Sequence, residues 1–138
     1  RTFSSAASDV YKRQVFNNTQ NVLAACDLAI VASGTATLEA AILSKPMVVI
    51  YKSNFFSNFI LSNFFLKSEF IALPNILSQE KIVFELRQNQ VTGKEIYDKS
   101  VLTLKNKKNI SDRLTSLRKS LLVQDPCKFS RAIQEILS

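Results

Sequence analysis

The 138-residue chain contains no histidine, and its two cysteines, Cys26 and Cys127, lie far apart in the sequence. Without histidine, neither a Ser-His nor a Cys-His nucleophilic pair can be assembled within it. The same absence, with no clustered cysteines, argues against a zinc site. The two thiols read as free, buried groups of a reducing compartment rather than as a disulfide. Only two glycines occur, Gly34 and Gly93, too few for a full dinucleotide-binding fingerprint. No apolar run reaches the length that a membrane-spanning helix requires.

What is present is enough for one domain with a real core, since 46% of the residues are apolar. The formal charge is +7. Residues 1–14 have no apolar h-region, so they are not a signal peptide; they read as an assembly artefact foreign to the fold, which leaves residues 15–138 as the domain. Without them 15 basic side chains face 10 acidic ones, and the excess is concentrated between Lys94 and Lys119. A basic balance suits nucleic acid, an anionic membrane or a phosphorylated substrate. The chain has no recognisable nucleic-acid motif. Its phenylalanines are not interleaved with Lys and Arg as a stacking surface, so nucleic acid is not expected as a partner.

The most informative stretch is Ala32-Ser33-Gly34-Thr35-Ala36-Thr37-Leu38-Glu39, which follows the apolar run Leu28–Ala32. A strand that turns through small residues into a helix leaves the first helical N–H groups unpaired, and with the helix dipole these form an anion site suited to phosphate. Gly34 permits positive φ and close approach of a ligand. Ser33, Thr35 and Thr37 add hydroxyls. Glu39 would repel phosphate and is better suited to accepting hydrogen bonds from sugar hydroxyls. The alternative is a buried strand and a helix capped by Ser33 or Thr35, with Glu39 merely solvated.

Periodicity and punctuation predict a helix over residues 17–26 with Thr19 as N-cap, a buried strand over 27–32 and a helix over 36–44. Pro46 stops that helix, and Met47–Tyr51 is the next strand. A helix over 54–67 and a brief strand over 70–72, ended by Pro74, follow. Strands alternating with helices imply a Rossmann-like α/β fold with a parallel sheet, whose ligands sit beyond the carboxyl ends of the strands. Ser33–Thr35 and Leu73–Asn75 both fall at such ends. Beyond Asn75 the chain reads as all-helical. One helix covers 78–88, and another is opened by Thr92 with capping-box spacing to Glu95 and runs to Leu104. A polar loop over 106–109 leads to a helix capped by Ser111 and running to Val123, and Asp125-Pro126 open the last one.

Phe55, Phe56, Phe59, Phe64 and Phe65 fall within eleven residues. Together with Ile60, Leu61 and Leu66 they make that helix apolar over more than one face. Either it is buried between two layers of the domain, or its surplus apolar surface meets a bilayer, an acyl chain or another protein. Lys52 and Lys67 flank it.

Four ordered motifs carry a resemblance: Ser33-Gly34-Thr35-Ala36-Thr37-Leu38-Glu39, then Lys45-Pro46-Met47-Val48-Val49-Ile50-Tyr51-Lys52, then Leu73-Pro74-Asn75-Ile76-Leu77, then Glu85-Leu86-Arg87-Gln88. In that order and spacing the chain resembles the C-terminal part of the lipid-A-disaccharide synthase family, two-domain GT-B type glycosyltransferases. Ala72 stands where the family pattern has serine. The resemblance implies a partial GT-B C-terminal domain, followed by an all-helical segment, in a protein whose N-terminal domain would be the missing partner. It implies that Ser33, Gly34, Thr35 and Ala36 hold the diphosphate of a UDP-sugar, that Glu39 binds sugar hydroxyls of the nucleotide, and that Asn75 reaches the same crevice. Thr37, Lys52, Glu85 and Gln88 are further candidates, with Glu85 read as mid-helix and either solvated or helix-pairing. The implied substrates are UDP-2,3-diacylglucosamine and 2,3-diacylglucosamine 1-phosphate (lipid X), with UDP released, no cofactor and no metal. The catalytic base is expected in the N-terminal domain. The implied location is the cytoplasmic face of the inner membrane, where Phe55, Phe56, Phe59, Phe64 and Phe65 would touch acyl chains or lipid; a homodimer is compatible. Other GT-B enzymes of UDP-sugars, such as a UDP-N-acetylglucosamine epimerase or a peptidoglycan-precursor glycosyltransferase, and a non-catalytic domain of the same fold, share the first motif.

Overall fold

The computed structural model describes residues 14–16, 18–52 and 69–124. The elements are α1 (Thr19–Ala25), β1 (Ala29–Ala32), α2 (Thr35–Ile42), β2 (Met47–Tyr51), α3 (Leu73–Ser78), β3 (Phe84–Arg87), a short 3-10 turn (Gln88–Gln90), α4 (Gly93–Lys105) and α5 (Lys107–Gln124). The three strands form a parallel sheet in the order β1-β2-β3, with Val31 opposite Val49 and Val49 opposite Glu85. This is the expected α/β arrangement, a partial Rossmann-like sheet followed by helices. The helices expected over 54–67 and from Asp125 onward lie outside the described residues, as do Phe55, Phe56, Phe59, Phe64, Phe65, Cys127 and residues 1–13.

Alternation along the strands divides the core. Ala29, Val31, Met47 and Val49 point to one face, where they pack with Leu23 of α1, Ala40 and Ala41 of α2, and Ile110, Leu114 and Leu117 of α5. Val48 and Leu86 point to the other and are buried there, where α4 packs on β2 and β3. α4 does not extend over β1, so Ile30 is left 52% exposed. The strand expected to be buried thus alternates between buried and exposed residues.

Several sequence expectations are corrected. The chain over 78–88 is not one helix: α3 ends at Ser78, Gln79 turns left-handed (φ 56°), and β3 follows. Val83 and Phe84, β-branched and aromatic, suit the pleated, half-buried surface beside β2. Residues 70–72 form no strand, and Pro74 opens α3 rather than ending a strand, because the first helical turn needs no N–H from it. Thr19 is the first residue of α1, with Asn18 at the N-cap. Residues 107–109 are already helical: Asn106 ends α4 while its carbonyl accepts Ile110 N–H at 3.1 Å to start α5. Ser111 is therefore interior to α5, and its hydroxyl donates to the Ser44 carbonyl at 2.9 Å. The expected opening of α4 is present, with Glu95 N–H donating to Thr92 Oγ1 at 3.2 Å.

Cys26 is a free, half-buried thiol whose Sγ lies 3.3 Å from the Leu23 carbonyl. Lys45 donates to the Ala24 carbonyl at 2.7 Å and the Cys26 carbonyl at 3.1 Å, closing the C-terminus of α1 with a cation, as the helix dipole favours. Among the described residues no helix is long and apolar enough to cross a membrane.

Gln79 is exposed and pays the left-handed backbone cost that glycine avoids. Gln79→Gly is expected to stabilise the fold by about 0.5–1 kcal/mol, read as a rise of a few degrees in Tm.

Candidate functional site

The turn between β1 and α2 is built by two backbone constraints. Ser33 N–H donates to the Ile50 carbonyl at 2.9 Å, carrying the β1–β2 ladder one residue past the strand. Gly34 then takes φ 150° and ψ −163°, a region that is essentially reserved for glycine. Among the described residues no atom lies within 4 Å of where a Cβ on Gly34 would sit, so the backbone angle rather than crowding requires glycine.

Gly34 is the N-cap of α2, and no side chain caps the helix. Neither Ser33 nor Thr35 plays the capping part weighed for it. Thr37 is fully buried and turns its hydroxyl back onto the Gly34 carbonyl at 2.6 Å, so it shapes the turn instead of facing a ligand. Its own N–H also bonds that carbonyl, at 3.1 Å. The N–H groups of Gly34, Thr35 and Ala36 have no partner among the described residues. One helical turn further on, Glu39 is half-buried, and its carboxylate has no hydrogen bond or ion pair among the described residues. Ser33 offers its hydroxyl; its N–H is spent on the sheet.

Beside this turn lies a pocket of about 150 Å³ lined by Ala32, Ser33, Ile50, Tyr51, Lys52 and Val91. It sits at the carboxyl ends of β1 and β2, where ligands of parallel α/β sheets bind. Lys52 therefore shares a cavity with Ser33. Val91, contributed by the loop before α4, was not singled out from the sequence, and no local pattern marks it. Gln88 is exposed in the 3-10 turn, with φ 49°.

Asn75 and Glu85 occupy a different place. The Asn75 side chain is fully buried and uses its whole hydrogen-bonding capacity. Nδ2 donates to the Val83 carbonyl and to Glu85 Oε1, both at 2.9 Å, and Oδ1 accepts from Ile82 N–H at 2.8 Å and Val83 N–H at 2.9 Å. No donor or acceptor is left over for a ligand. Glu85 lies on β3, not in a helix, and its side chain is only 6% exposed. It accepts from Ile71 N–H at 3.1 Å to each oxygen, from Ala72 N–H at 2.8 Å and from the Arg87 guanidinium at 2.8 Å. Arg87 also donates to the Glu69 carbonyl. The third and fourth sequence motifs thus form one latch inside the fold. The signal for it was an asparagine and a glutamate set in otherwise apolar runs, where each must find partners once buried.

Comparison with known proteins bears on this arrangement. Residues 5–137 match the family model described as lipid-A-disaccharide synthetase. The chain belongs to that family. It is 32% identical over 139 residues to the lipid-A-disaccharide synthase of Dechloromonas aromatica (strain RCB), covering 99% of this chain and 36% of that protein. It is 35% identical over 130 residues to that of Albidiferax ferrireducens, covering 89% of this chain and 33% of the relative. With the Alcanivorax borkumensis protein it shares 47% identity over 77 residues, 56% of this chain and 20% of the relative. The chain thus spans about a third of the length of the curated relatives it matches. No solved structure matches it. Among the described residues no group of His, Cys, Asp and Glu side chains is placed to hold a metal ion.

Two outcomes follow for the members of the family motifs. Gly34→Ala meets no steric clash but must hold a forbidden φ, and is expected to cost about 1–3 kcal/mol in urea unfolding. Asn75→Asp removes two donated bonds and sets a second carboxylate against Glu85; it is expected to cost about 3 kcal/mol or more. An Asn75→Asp chain within about 0.5 kcal/mol of the parent would remove the latch from the account of stability.

Proposed function

We propose that this chain forms the nucleotide-sugar donor side of a lipid-A-disaccharide synthase. The observation that carries the reading is the set of three N–H groups, Gly34, Thr35 and Ala36, without a partner among the described residues, with the half-buried carboxylate of Glu39, also unpaired among them, one turn along the same helix. The N–H groups and the Ser33 and Thr35 hydroxyls suit the diphosphate of UDP-2,3-diacylglucosamine. Glu39 suits the sugar hydroxyls of its nucleotide. Asn75, Glu85 and Thr37 serve this site by holding its framework.

The reaction is glycosyl transfer with inversion. A hydroxyl of 2,3-diacylglucosamine 1-phosphate attacks the anomeric carbon of the donor, the bond from that carbon to the diphosphate oxygen breaks, and UDP leaves with the electron pair. The hydroxyl proton passes to a base outside this chain. Charge grows on the departing diphosphate, and donors fixed in advance at the start of α2 stabilise it without reorganisation. The protein works at the cytoplasmic face of the inner membrane, with the phenylalanine-rich stretch from Phe55 to Phe65 against acyl chains or lipid.

The test is a chimera in which residues 15–138 replace the matching part of the Dechloromonas aromatica synthase, supplied with both acylated sugars. UDP release is expected, with Glu39→Ala lowering it about 10- to 100-fold, as loss of a charged hydrogen-bond acceptor would. The isolated chain is expected to release none. A folded chimera without activity, or one indifferent to Glu39→Ala, would overturn the reading.

A further inference from the structure

β1 is an outer strand of the sheet, with β2 on one side and no strand of the described residues on the other. Its inner side is in use. Ala29 N–H donates to the Pro46 carbonyl at 3.0 Å and Ser33 N–H to the Ile50 carbonyl at 2.9 Å, with the ladder to β2 between them. Backbone groups alternate in direction along a strand, so those of Leu28, Ile30 and Ala32 point outward. Their N–H groups have no partner among the described residues. Folds commonly guard such an edge with lysine, proline or a bulge. The run Leu28–Ala32 has none of these and carries no charge. The side chains beside the open edge are apolar too. Ile30 stands in one row with Val48 and Phe84 across the sheet, and it is 52% exposed. On α4, Lys99 Nζ lies 5.4 Å from the centre of the Phe84 ring, so that side of the helix overlooks β3. The opposite side, toward β1, carries Tyr97, Val101 and Leu104 at helical spacing, with Tyr97 68% and Leu104 41% exposed.

We propose that a second copy of the chain closes this edge, through antiparallel pairing of the two β1 strands about a two-fold axis at Ile30. The outward groups recur at every second residue, and that spacing makes the edge complementary to itself. With Ile30 opposite its own counterpart, Leu28 lies opposite Ala32 of the second copy, and every outward N–H meets an outward carbonyl. The two Ile30 side chains stand side by side and remove each other from water. Charge fits as well. Asp27, the charged residue next to the run, falls opposite Ser33 of the second copy rather than opposite another carboxylate. Any extended strand satisfies the backbone groups; a second copy also matches the side chains and the charge. The axis stands perpendicular to the sheet, so both α4 helices lie on one face of the joined sheets, and Tyr97 and Leu104 of each copy border the paired Ile30 residues. Pairing stops at Ala32 and leaves the start of α2 open, so the inference stands apart from the donor-site reading.

The experiment is analytical ultracentrifugation of the 138-residue chain over a concentration series, for the parent, Ile30→Lys, Ala32→Pro and Ile30→Val. Circular dichroism melting checks the fold of each variant. Ile30 and Ala32 are exposed, and Ala32→Pro removes only an N–H that points away from β2. The parent is expected to be a dimer in reversible equilibrium with monomer. Ile30→Lys sets two ammonium groups against each other across the axis and is expected to raise the dissociation constant at least about 30-fold. Ala32→Pro takes one hydrogen bond from each copy and is expected to raise it about tenfold. Ile30→Val keeps the edge apolar and should keep the dimer. A parent that stays monomeric at every concentration, or a dimer indifferent to both Ile30→Lys and Ala32→Pro, would overturn the proposal.

Discussion

A carboxylate that is 6% exposed must be satisfied or the fold pays several kcal/mol for its burial, and Glu85 is that group here. Its partners include chain that also packs in the core, Ala72 and Asn75 being fully buried. Ile71 and Ala72 N–H groups fix the approach to α3. The Asn75 amide carries the restraint into α3 and, through Ile82 and Val83, to the start of β3. Arg87 fastens Glu69 to the same strand. Ala72, the N-cap of α3, has no side chain to cap it, and Glu85 supplies the negative charge at that helix start from another element. α3 in turn packs against α2, whose N-terminus is the candidate site. The latch thus acts on the site at second hand, by holding the helix beside it.

How much of this was legible depended on distance along the chain. Met47–Tyr51 was read with the bounds the structure has, because a proline before it and a continuous β-branched run are local signals. The opening of α4 was equally local, a threonine three residues before a glutamate. The Ser-Gly turn was recognised from the strand and helix on either side. β3 was lost because Ile82–Arg87 is short and its helical and extended readings differ little until β2 is there to pair with it. Losing β3 misplaced Glu85, and with Glu85 went Asn75. A side chain held by partners ten residues or more away shows the sequence only that it is polar, and polar residues in a motif invite a ligand. Thr37 failed in the same way: its hydroxyl was counted as a donor to a ligand, yet the Gly34 carbonyl lies within 2.6 Å of it.

The start of α2, like that of α1, has no side-chain cap, whereas α4 has one. Thr92 caps α4, and Glu85 accepts the N–H of Ala72 at the cap position of α3. At α2 the cap position is a glycine at φ 150°, whose carbonyl is occupied by Thr37 and whose N–H has no partner among the described residues. A serine or aspartate there would ordinarily gain about 1 kcal/mol as a cap. Such a residue would also have to adopt the glycine-only backbone angle. Three features meet at one place: a glycine-only angle, a helix start without a side-chain cap and a half-buried carboxylate unpaired among the described residues. Departures that cluster at the carboxyl ends of parallel strands are the usual mark of a site shaped for something outside the chain. The proposed diphosphate on the N–H groups, with sugar hydroxyls on the carboxylate, would resolve the last two at once.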